Sequence, residues 1–419
     1  MIAKERIFSA IDREKEAITA RGRALFDCPE LGFQETETER MICGCLDEWG
    51  VPYEKDVSLT GVVARLGRSG YHIAVVVDMD ALPRKAGGGC IHACGHSIQT
   101  NDALAALQAL LPFTQDGSMD GRVSFFFTPA EELTDPQRRE ELLAAGVLKG
   151  RSGKQDMIAN GWFDDVDCVL SLHASSYPGR RFDVDTVLTG FLTKRVTFHG
   201  KAAHSGAAPY LGRNALHGAV LTETALGLLK DQFPPESYTR IYPIIRDVSG
   251  GINIIPDEAV LETYVRAADQ ASLMEAAGRF DRCVRGCAEA LGLGADVETH
   301  PGYLPLIQSR QINQVAAENM LLFCNEEDIT HDYVNGASGD LGDLGSLLPA
   351  IQFGFSGVDG AFHSDEFTIR DEEFCYLTVS KVLAGTAADL LNHPELRPER
   401  PADFEARKQA YLRDWVHMG

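Results

Sequence analysis

The chain has 419 residues, 44% hydrophobic and 24% charged, a composition typical of a globular protein with a sizeable core. Its formal net charge of -22 argues against binding to nucleic acid, which needs clustered Lys and Arg, and against an anionic membrane surface. The first 23 residues show no signal-peptide pattern and the ten cysteines are scattered, so we expect a cytoplasmic protein with reduced thiols and no membrane span.

The first part of the chain alternates predicted helices and strands. An amphipathic helix is predicted over residues 7–25, because apolar residues recur there at helical spacing. Apolar runs rich in β-branched residues predict strands at 71–77, 123–127 and 166–172, and a helix is predicted at 101–111. This alternation is typical of a mostly parallel sheet covered by helices on both faces.

The pattern changes near residue 190. Strands are predicted at 194–198 and 260–266, and helices at 212–229 and 272–291. We interpret residues 190–302 as a separate α+β domain inserted into the first one.

The remaining elements complete the first domain, which then comprises residues 1–189 and 303–419. They are a helix at 313–323, an apolar strand at 350–355 and a final helix at 372–391.

Five short segments carry residues suited to metal chemistry. Each follows a predicted strand or lies in a glycine-rich loop, which is where open α/β sheets place their sites. They are Asp78–Pro83 (DMDALP), His92–His96 (HACGH), Pro129–Glu132 (PAEE), His173 and His363.

The spacing of these residues suggests how they act. Cys94 and His96 can converge on one metal ion if the loop turns at Gly95, since glycine permits the turn. Glu131 and Glu132 are adjacent, and in an extended segment adjacent side chains point to opposite sides. We therefore expect one carboxylate to bind metal while the other faces the substrate.

Taken singly, each segment also has a plainer interpretation. Cys90, Cys94 and His96 could form a small structural zinc site, and His173 could be an ordinary hydrogen-bonded histidine. Two adjacent glutamates after a strand are often a solvated helix start. The catalytic interpretation is favoured because all five segments occur in one chain at the expected ends of the expected elements.

Together the motifs resemble the aminoacylase/carboxypeptidase family of co-catalytic metallohydrolases. The similarity is greatest to its amidohydrolase branch, which includes hippurate, auxin-conjugate and aminobenzoyl-glutamate hydrolases. It extends from Pro29-Glu30-Leu31 to about residue 370. The resemblance implies an α/β fold with a mostly parallel sheet flanked by helices, and a lid and dimerisation domain at 190–302.

The resemblance also implies two divalent metal ions, zinc or manganese in the first place, with nickel or cobalt as alternatives. Glu131 is implied as the general base that activates a metal-bridged water, and Asp80 as an aspartate that orients the site. The implied metal ligands are Cys94, His96, Glu132, His173 and His363.

Three residues of the inserted domain are implied at the active site, His204 in catalysis and Asn253 and Arg266 in substrate binding. His204 matches a histidine that reaches the active site, often that of the partner subunit, and would stabilise the oxyanion. Asn253 and Arg266 match residues that bind the substrate carboxylate.

The expected function is hydrolysis of the amide bond of an N-acyl amino acid or a dipeptide-like conjugate. The expected substrate is a small molecule with a free carboxylate, and the expected assembly is a homodimer joined through residues 190–302. The alternatives are a metallo-dipeptidase acting on free dipeptides and a catalytically inactive metal-binding homologue.

The chain departs from the family pattern at three places. Ser97 follows HACGH where the family usually has Asp, which predicts a weaker contact behind the metal ligands. Residues 133–154 resemble an insertion, either a cap that restricts substrate shape or a surface helical excursion. The motif at 336–343 is closer to the dipeptidase and aminobenzoyl-glutamate side of the branch than to the auxin-conjugate side.

Overall fold

The structure is a computed structural model that describes residues 1–85, 87–175 and 180–418. The chain divides into two compact units. The first comprises Met1–Thr186, Ile307–Tyr333 and Asp343–Leu412; the second comprises Val187–Leu306, Val334–Gly342 and Arg413–Gly419. The second unit contains the predicted insertion at 190–302 and also two later segments that the sequence pattern had assigned to the first.

Helices form where apolar residues recur at helical spacing, as at Ile7 and Ile11, which are both buried. The predicted N-terminal helix is two helices, because the backbone leaves the helical conformation at Glu14. The helices are α1 Lys4–Arg13, α2 Lys15–Phe26, α3 Thr36–Trp49, α4 His96–Gln115, α5 Pro136–Ala144, α6 Gly153–Ala159, α7 Ala215–Leu229, α8 Gln270–Ala290, α9 Arg310–Met320, α10 Leu341–Gly345, α11 Val379–Asn392 and α12 Phe404–Tyr411.

The strands coincide with the apolar runs of the sequence and add several that the pattern did not reveal. They are β1 Tyr53–Val57, β2 Gly61–Gly67, β3 His72–Asp78, β4 Arg122–Thr128, β5 Cys168–Ala174, β6 Phe182–Asp183, β7 Gly190–His199, β8 Arg240–Ile241, β9 Ile244–Val248, β10 Glu258–Ala267, β11 Gly294–Pro301, β12 Ile329–Thr330 and β13 Ala350–Phe355. Two-residue strands also pair Leu82–Pro83 with Cys90–Ile91, Val187–Leu188 with Val334–Asn335, and Val358–Asp359 with Thr368–Ile369.

Among the described residues, the first unit is built on an eight-stranded sheet in the order β1-β2-β4-β3-β5-β13-β6-β12. Strands β3, β4, β5 and β13 run parallel, whereas β1 and β2 join one edge in antiparallel pairs. Every residue of β3 and of β13 is buried, as expected for central strands covered on both faces. The mostly parallel sheet flanked by helices confirms the predicted fold class.

The last long helical segment of the first unit is Phe374–Asn392, in which a π-helical turn leads into α11. It is long and apolar enough to cross a membrane by length and composition alone. However, 89% of its most apolar window is buried inside the protein, where α11 packs on α4, as the core helix of a folded unit does.

The second unit has an antiparallel sheet of its own, in the order β8-β10-β7-β11, with β9 also paired to β10. Helices α7 and α8 contact this sheet. Alternate residues of β7, including Leu192, Val196 and Phe198, are buried, which is the pattern of a sheet with one covered face.

The register of the parallel strands brings their carboxyl ends to one edge of the first sheet. Asp78 pairs with Thr128, and His173 pairs with Gly354. The DMDALP, PAEE and His173 segments therefore leave the sheet side by side.

Candidate metal centre

The predicted ligands and the predicted base lie together in the first unit. Their potential ligand atoms form three overlapping groups, and within each group all atoms lie within 4.8 Å of one another. The groups are Cys94–His96–His173, Cys94–Glu132–His363 and His96–Glu131–Glu132. Among the described residues, Cys90 belongs to no such group, so the cluster differs from the small structural zinc site considered above.

Cys94 lies at the middle of the cluster. Its Sγ is 3.6 Å from Nε2 of His173 and 3.5 Å from Nε2 of His363. Nε2 of His363 is in turn 3.3 Å from Oε1 of Glu132. Zinc lies about 2.0–2.3 Å from nitrogen, oxygen and thiolate ligands, so donor atoms at these separations can share an ion.

His96 is fixed from behind by Asp80, and both side chains are fully buried. Nδ1 of His96 lies 3.0 Å from Oδ1 of Asp80 and 2.9 Å from the Asp80 carbonyl oxygen. The other carboxylate oxygen of Asp80 accepts a 2.9 Å hydrogen bond from the backbone N–H of Glu132. One aspartate therefore orients both a histidine and the acid pair, which is how carboxylates behind a metal site act.

The other two histidines also present Nε2 to the cluster. Nδ1 of His173 lies 2.8 Å from the carbonyl oxygen of Ala174, so this nitrogen carries the proton and Nε2 keeps its lone pair. His363 has a left-handed backbone, with φ of 58°, and its N–H donates to the Ala93 carbonyl at 2.9 Å. That bond ties the late histidine to the HACGH loop.

Two buried polar atoms in the cluster indicate that a cation belongs there. Nε2 of His96 and Oε1 of Glu132 are buried and have no hydrogen-bond partner among the described residues. An unsatisfied buried polar atom costs about 1–3 kcal/mol. A metal ion would satisfy both atoms, and a donor set of thiol, imidazole and carboxylate suits zinc. The residues therefore fit a metal site.

Burial and neighbouring charges shift the pKa values of three of the proposed ligands. Burial and the positive charge of His96 lower the pKa of His173 to about 4, which keeps that imidazole neutral, as a metal ligand must be. Burial and the negative charge of Glu132 raise the pKa of the Cys94 thiol. Burial lowers the pKa of His96, but the Cys94 sulfur and Asp80 raise it, and the net shift is upward.

Backbone geometry at two residues brings the donors together. Gly95 has φ of 94°, and a Cβ there would lie 2.6 Å from Cβ of Ala174, so the turn predicted at this glycine is confirmed. Ala130 is also left-handed, with φ of 59°. The PAEE segment is therefore not extended, and the carboxylates of Glu131 and Glu132 both reach His96. The prediction that they point to opposite sides is wrong, since it assumed a regular strand.

Comparison with known proteins identifies the family. Residues 74–388 match the family described as peptidase family M20/M25/M40. The chain belongs to this family. The resemblance inferred from the motifs is thus confirmed, and membership makes the protein a hydrolase of peptide or amide bonds.

Individual relatives cover nearly the whole chain. It is 27% identical to an Xaa-Arg dipeptidase of Mus musculus, over 97% of this chain and 93% of that protein. It is 31% identical to an N-acetyl-L-cysteine deacetylase of Bacillus subtilis, over 91% and 90%. A dinuclear metal binding peptidase of the M20 family from Bacillus subtilis shares the fold, with a TM-score of 0.70 at 21% identity, over 92% and 99% of the two chains.

The predicted catalytic residue His204 and the predicted substrate-binding residues Asn253 and Arg266 lie in the second unit of this M20 protein. His204 is exposed, and its Nδ1 accepts hydrogen bonds from the N–H groups of Gly206 and Ala207 at 3.2 and 3.1 Å. A neutral His204 therefore carries its proton on Nε2. Asn253 is also exposed, and its carbonyl oxygen accepts the N–H of Ser205 at 3.0 Å.

Arg266 is half-buried on β10 and lacks a carboxylate partner among the described residues. Its guanidinium lies 5.2 Å from the ring centres of Phe191 and Tyr264, and it donates to the Gly336 carbonyl and the Ser338 hydroxyl at 3.1 and 3.0 Å. Burial lowers its pKa. A partly desolvated guanidinium with no anion on the protein is suited to bind one from outside.

The segment 133–154 is only partly a surface excursion. Helix α5 is mostly exposed, but the segment ends at Gly153 and Lys154, the first two residues of α6, and both are buried. Lys154, 1% exposed, forms an ion pair with Asp78 and so belongs to the interior beneath the metal cluster. Its role as a substrate-restricting cap remains a prediction.

Sequence reasoning did not assign roles to three buried polar residues around the site, namely Glu35, Arg139 and Lys154. Each acts through a tertiary contact that leaves no periodic signal. Ser97 is also buried, and its Oγ has no hydrogen-bond partner in the described part of the chain. Whether this lowers metal affinity remains a prediction.

Proposed function

We propose that this protein is a metal-dependent amidohydrolase that cleaves the amide bond of an N-acyl amino acid or a dipeptide-like conjugate. The observation that carries the proposal is the cluster of five donor residues in which Glu131 lies beside two of them, His96 and Glu132. The named relatives, a deacetylase of an N-acetyl amino acid and a dipeptidase, act on substrates of this kind.

We propose two divalent ions at the cluster, with zinc or manganese as the first choices. Cys94, His96, Glu132, His173 and His363 would hold them. When bound, such ions polarise a carbonyl and lower the pKa of water toward neutrality.

Within this centre, Glu131 serves as the general base. It is nearly buried, and its Oε2 lies 3.9 Å from Nε2 of His96. From there it can take a proton from the attacking water and deliver it to the leaving nitrogen. Asp80 contributes by orienting His96 and Glu132.

His204 and Arg266 act on the substrate. Because Nδ1 of His204 accepts two backbone hydrogen bonds, Nε2–H is available to donate to the oxyanion that develops on the amide carbonyl. Arg266 binds the free carboxylate, with Asn253 adding a neutral hydrogen bond.

Replacing Arg266 with Gln tests this substrate assignment. We expect KM for an N-acetyl amino acid to rise by about 10- to 100-fold, because a charged hydrogen bond to the carboxylate is lost. The same substrate with its carboxylate amidated should be poor for the wild type, and the substitution should change its kcat/KM little. Steady-state kinetics on both substrates measure the difference.

Arg240→Gln is the matched control, since Arg240 is exposed and lies opposite Arg266 in the register of β8 and β10. It should leave both substrates unaffected. If Arg266→Gln lowered kcat/KM equally for the N-acetyl amino acid and for its carboxamide, Arg266 would not be the residue that binds the carboxylate.

A metallo-dipeptidase is the second candidate, favoured by the similarity to the Xaa-Arg dipeptidase. Comparing kcat/KM for an N-acetyl amino acid with that for the matching free dipeptide separates the two. A preference for the free dipeptide would replace the first proposal with the second. An inactive homologue is disfavoured, because both glutamates are retained and lie in the cluster.

We also propose that the protein is a homodimer joined through residues 190–302. Several large apolar side chains are exposed in this part, and burial of apolar surface is the main driving force of protein association. They include Tyr210, Leu211, Leu228, Tyr242 and Ile252. Sedimentation equilibrium checks the proposal, and a monomer at micromolar concentration would refute it.

A further inference from the structure

We propose that Arg139 is a positioning residue: its guanidinium holds the backbone of the turn that carries Glu131 and Glu132. The inference rests on the proposed function, because it concerns how the general base and a metal ligand of that function are held in place. It also gives a role to part of the segment that looked like an insertion.

The first observation is where the Arg139 side chain directs its donors. Arg139 lies on α5, yet it is only 4% exposed. Its guanidinium donates to the carbonyl oxygens of Ala130 at 3.3 Å, Glu132 at 2.6 Å and Thr134 at 2.8 Å, and to that of Arg151. Three of these four carbonyls belong to the turn that carries the acid pair.

The absence of an acidic partner is informative. Among the described residues, no carboxylate forms an ion pair with Arg139. Burying an unpaired cation is costly unless hydrogen bonds satisfy it. Here the planar fork of arginine satisfies it with backbone oxygens, and lysine could not reproduce that geometry. The positively charged guanidinium of Arg139 therefore binds the backbone carbonyls of the turn that carries Glu131 and Glu132.

The second observation is that Ala130, the residue before Glu131, is hydrogen-bonded through both its N–H and its carbonyl group. Ala130 has φ of 59°, a conformation that residues with a side chain rarely adopt. Its N–H donates to Oε1 of Glu35 at 2.9 Å, and its carbonyl accepts from Arg139. Glu35 is fully buried and is itself fixed by the Thr60 hydroxyl at 2.5 Å. These contacts maintain the turn that sends both carboxylates to His96.

The third observation is that α5 is fastened to this turn. The Arg139 guanidinium lies 5.0 Å from the ring centre of Phe33. Phe33, Ala130 and Leu148 form a small apolar cluster, and Leu142 and Leu143 of α5 pack against it. Helix α5 therefore packs against the turn whose carbonyls Arg139 binds.

Arg139→Lys and Arg139→Gln test the proposal with two readouts. We expect kcat to fall by about 10- to 100-fold with KM changed less than about twofold, because a small misplacement of the base slows chemistry without touching the substrate carboxylate. Lysine should retain more activity than glutamine. In the cobalt-substituted protein, the visible absorption spectrum should shift in both variants, since the Glu132 ligand moves.

Arg138→Lys and Arg138→Gln are the matched controls, because Arg138 is the exposed neighbour on the same helix. Both should leave kcat, KM and the cobalt spectrum unchanged. All assays are run at a temperature well below the Tm of each variant.

Three results would overturn the inference. An active wild type whose Arg139 variants keep both kcat and the cobalt spectrum would show that the turn stands without Arg139. A rise in KM or a changed substrate profile at constant kcat would assign the segment to substrate restriction. If neither Arg139 variant folded, Arg139 would be needed for folding and would have no separate role in positioning the acid pair. A wild type that hydrolyses no amide would instead refute the proposed function, and the cobalt spectra would still test the positioning of Glu132.

Discussion

Glu131→Gln is expected to reduce kcat by about 10³-fold while the protein keeps its metal, because the substitution removes the proton acceptor and leaves the ligand set intact. Glutamine has the same shape as glutamate and cannot take the proton of the attacking water. Turnover of an N-acetyl amino acid and metal content, measured on the same sample, give both quantities.

Glu141→Gln is the control, since Glu141 is an exposed glutamate on the nearby helix α5. It should behave as the wild type does. A Glu131→Gln protein with normal turnover would eliminate the assigned base. If the Glu131→Gln protein lost its metal together with its activity, Glu131 would be a metal ligand and not the general base.

Lys154→Met is expected to lower the free energy of unfolding by about 3–5 kcal/mol, because it leaves the buried Asp78 carboxylate without its cation. Lys154 is 1% exposed and forms an ion pair with Asp78, which also accepts a 2.9 Å hydrogen bond from the Thr128 hydroxyl. Methionine fills a similar volume, so the loss reports the charge more than a cavity. Urea unfolding of the metal-free protein measures it.

The double variant Lys154→Met with Asp78→Asn should recover part of the loss, because no buried charge then remains unpaired. Lys149→Met, at an exposed lysine in the same segment, should change stability by less than about 0.5 kcal/mol. If Lys154→Met costs no more than Lys149→Met, the ion pair contributes nothing to the fold.

Much of the first unit could be predicted because its central strands are apolar throughout. The run at 71–77 predicted β3 to within one residue, and the strand predicted at 350–355 has the same bounds as β13. Strands β1 and β2 were both missed. The edge strand β1 is mostly exposed and lacks a simple pattern. The break at Glu14 was also missed, because apolar spacing continues across it.

At the site, the sequence predicted which residues lie close together in the structure, but it did not predict how their side chains are oriented. Position after a strand or in a glycine-rich loop drew attention to the five segments, and the resemblance to a known family implied which of their residues would bind metal. The direction of the Glu131 and Glu132 side chains depends on the left-handed backbone of Ala130. Arginine and glutamate far apart in the sequence hold that backbone, and no local pattern encodes such a contact.

The second unit shows the same limit. The change of pattern near residue 190 predicted a separate domain, and Val187–Leu306 forms most of the second unit. The segment Val334–Gly342 joins it through tertiary contacts, including the hydrogen bonds from Arg266 to Gly336 and Ser338. Those contacts involve one residue on a strand and a distant loop, so periodicity cannot reveal them.

Anomalous diffraction at the zinc absorption edge, from crystals grown with zinc, tests the central assignment most directly. We predict two zinc ions per chain, with Cys94, His96, Glu132, His173 and His363 as their protein ligands. Diffraction that shows no anomalous peak near these side chains, or zinc bound only elsewhere on the protein, would contradict the account.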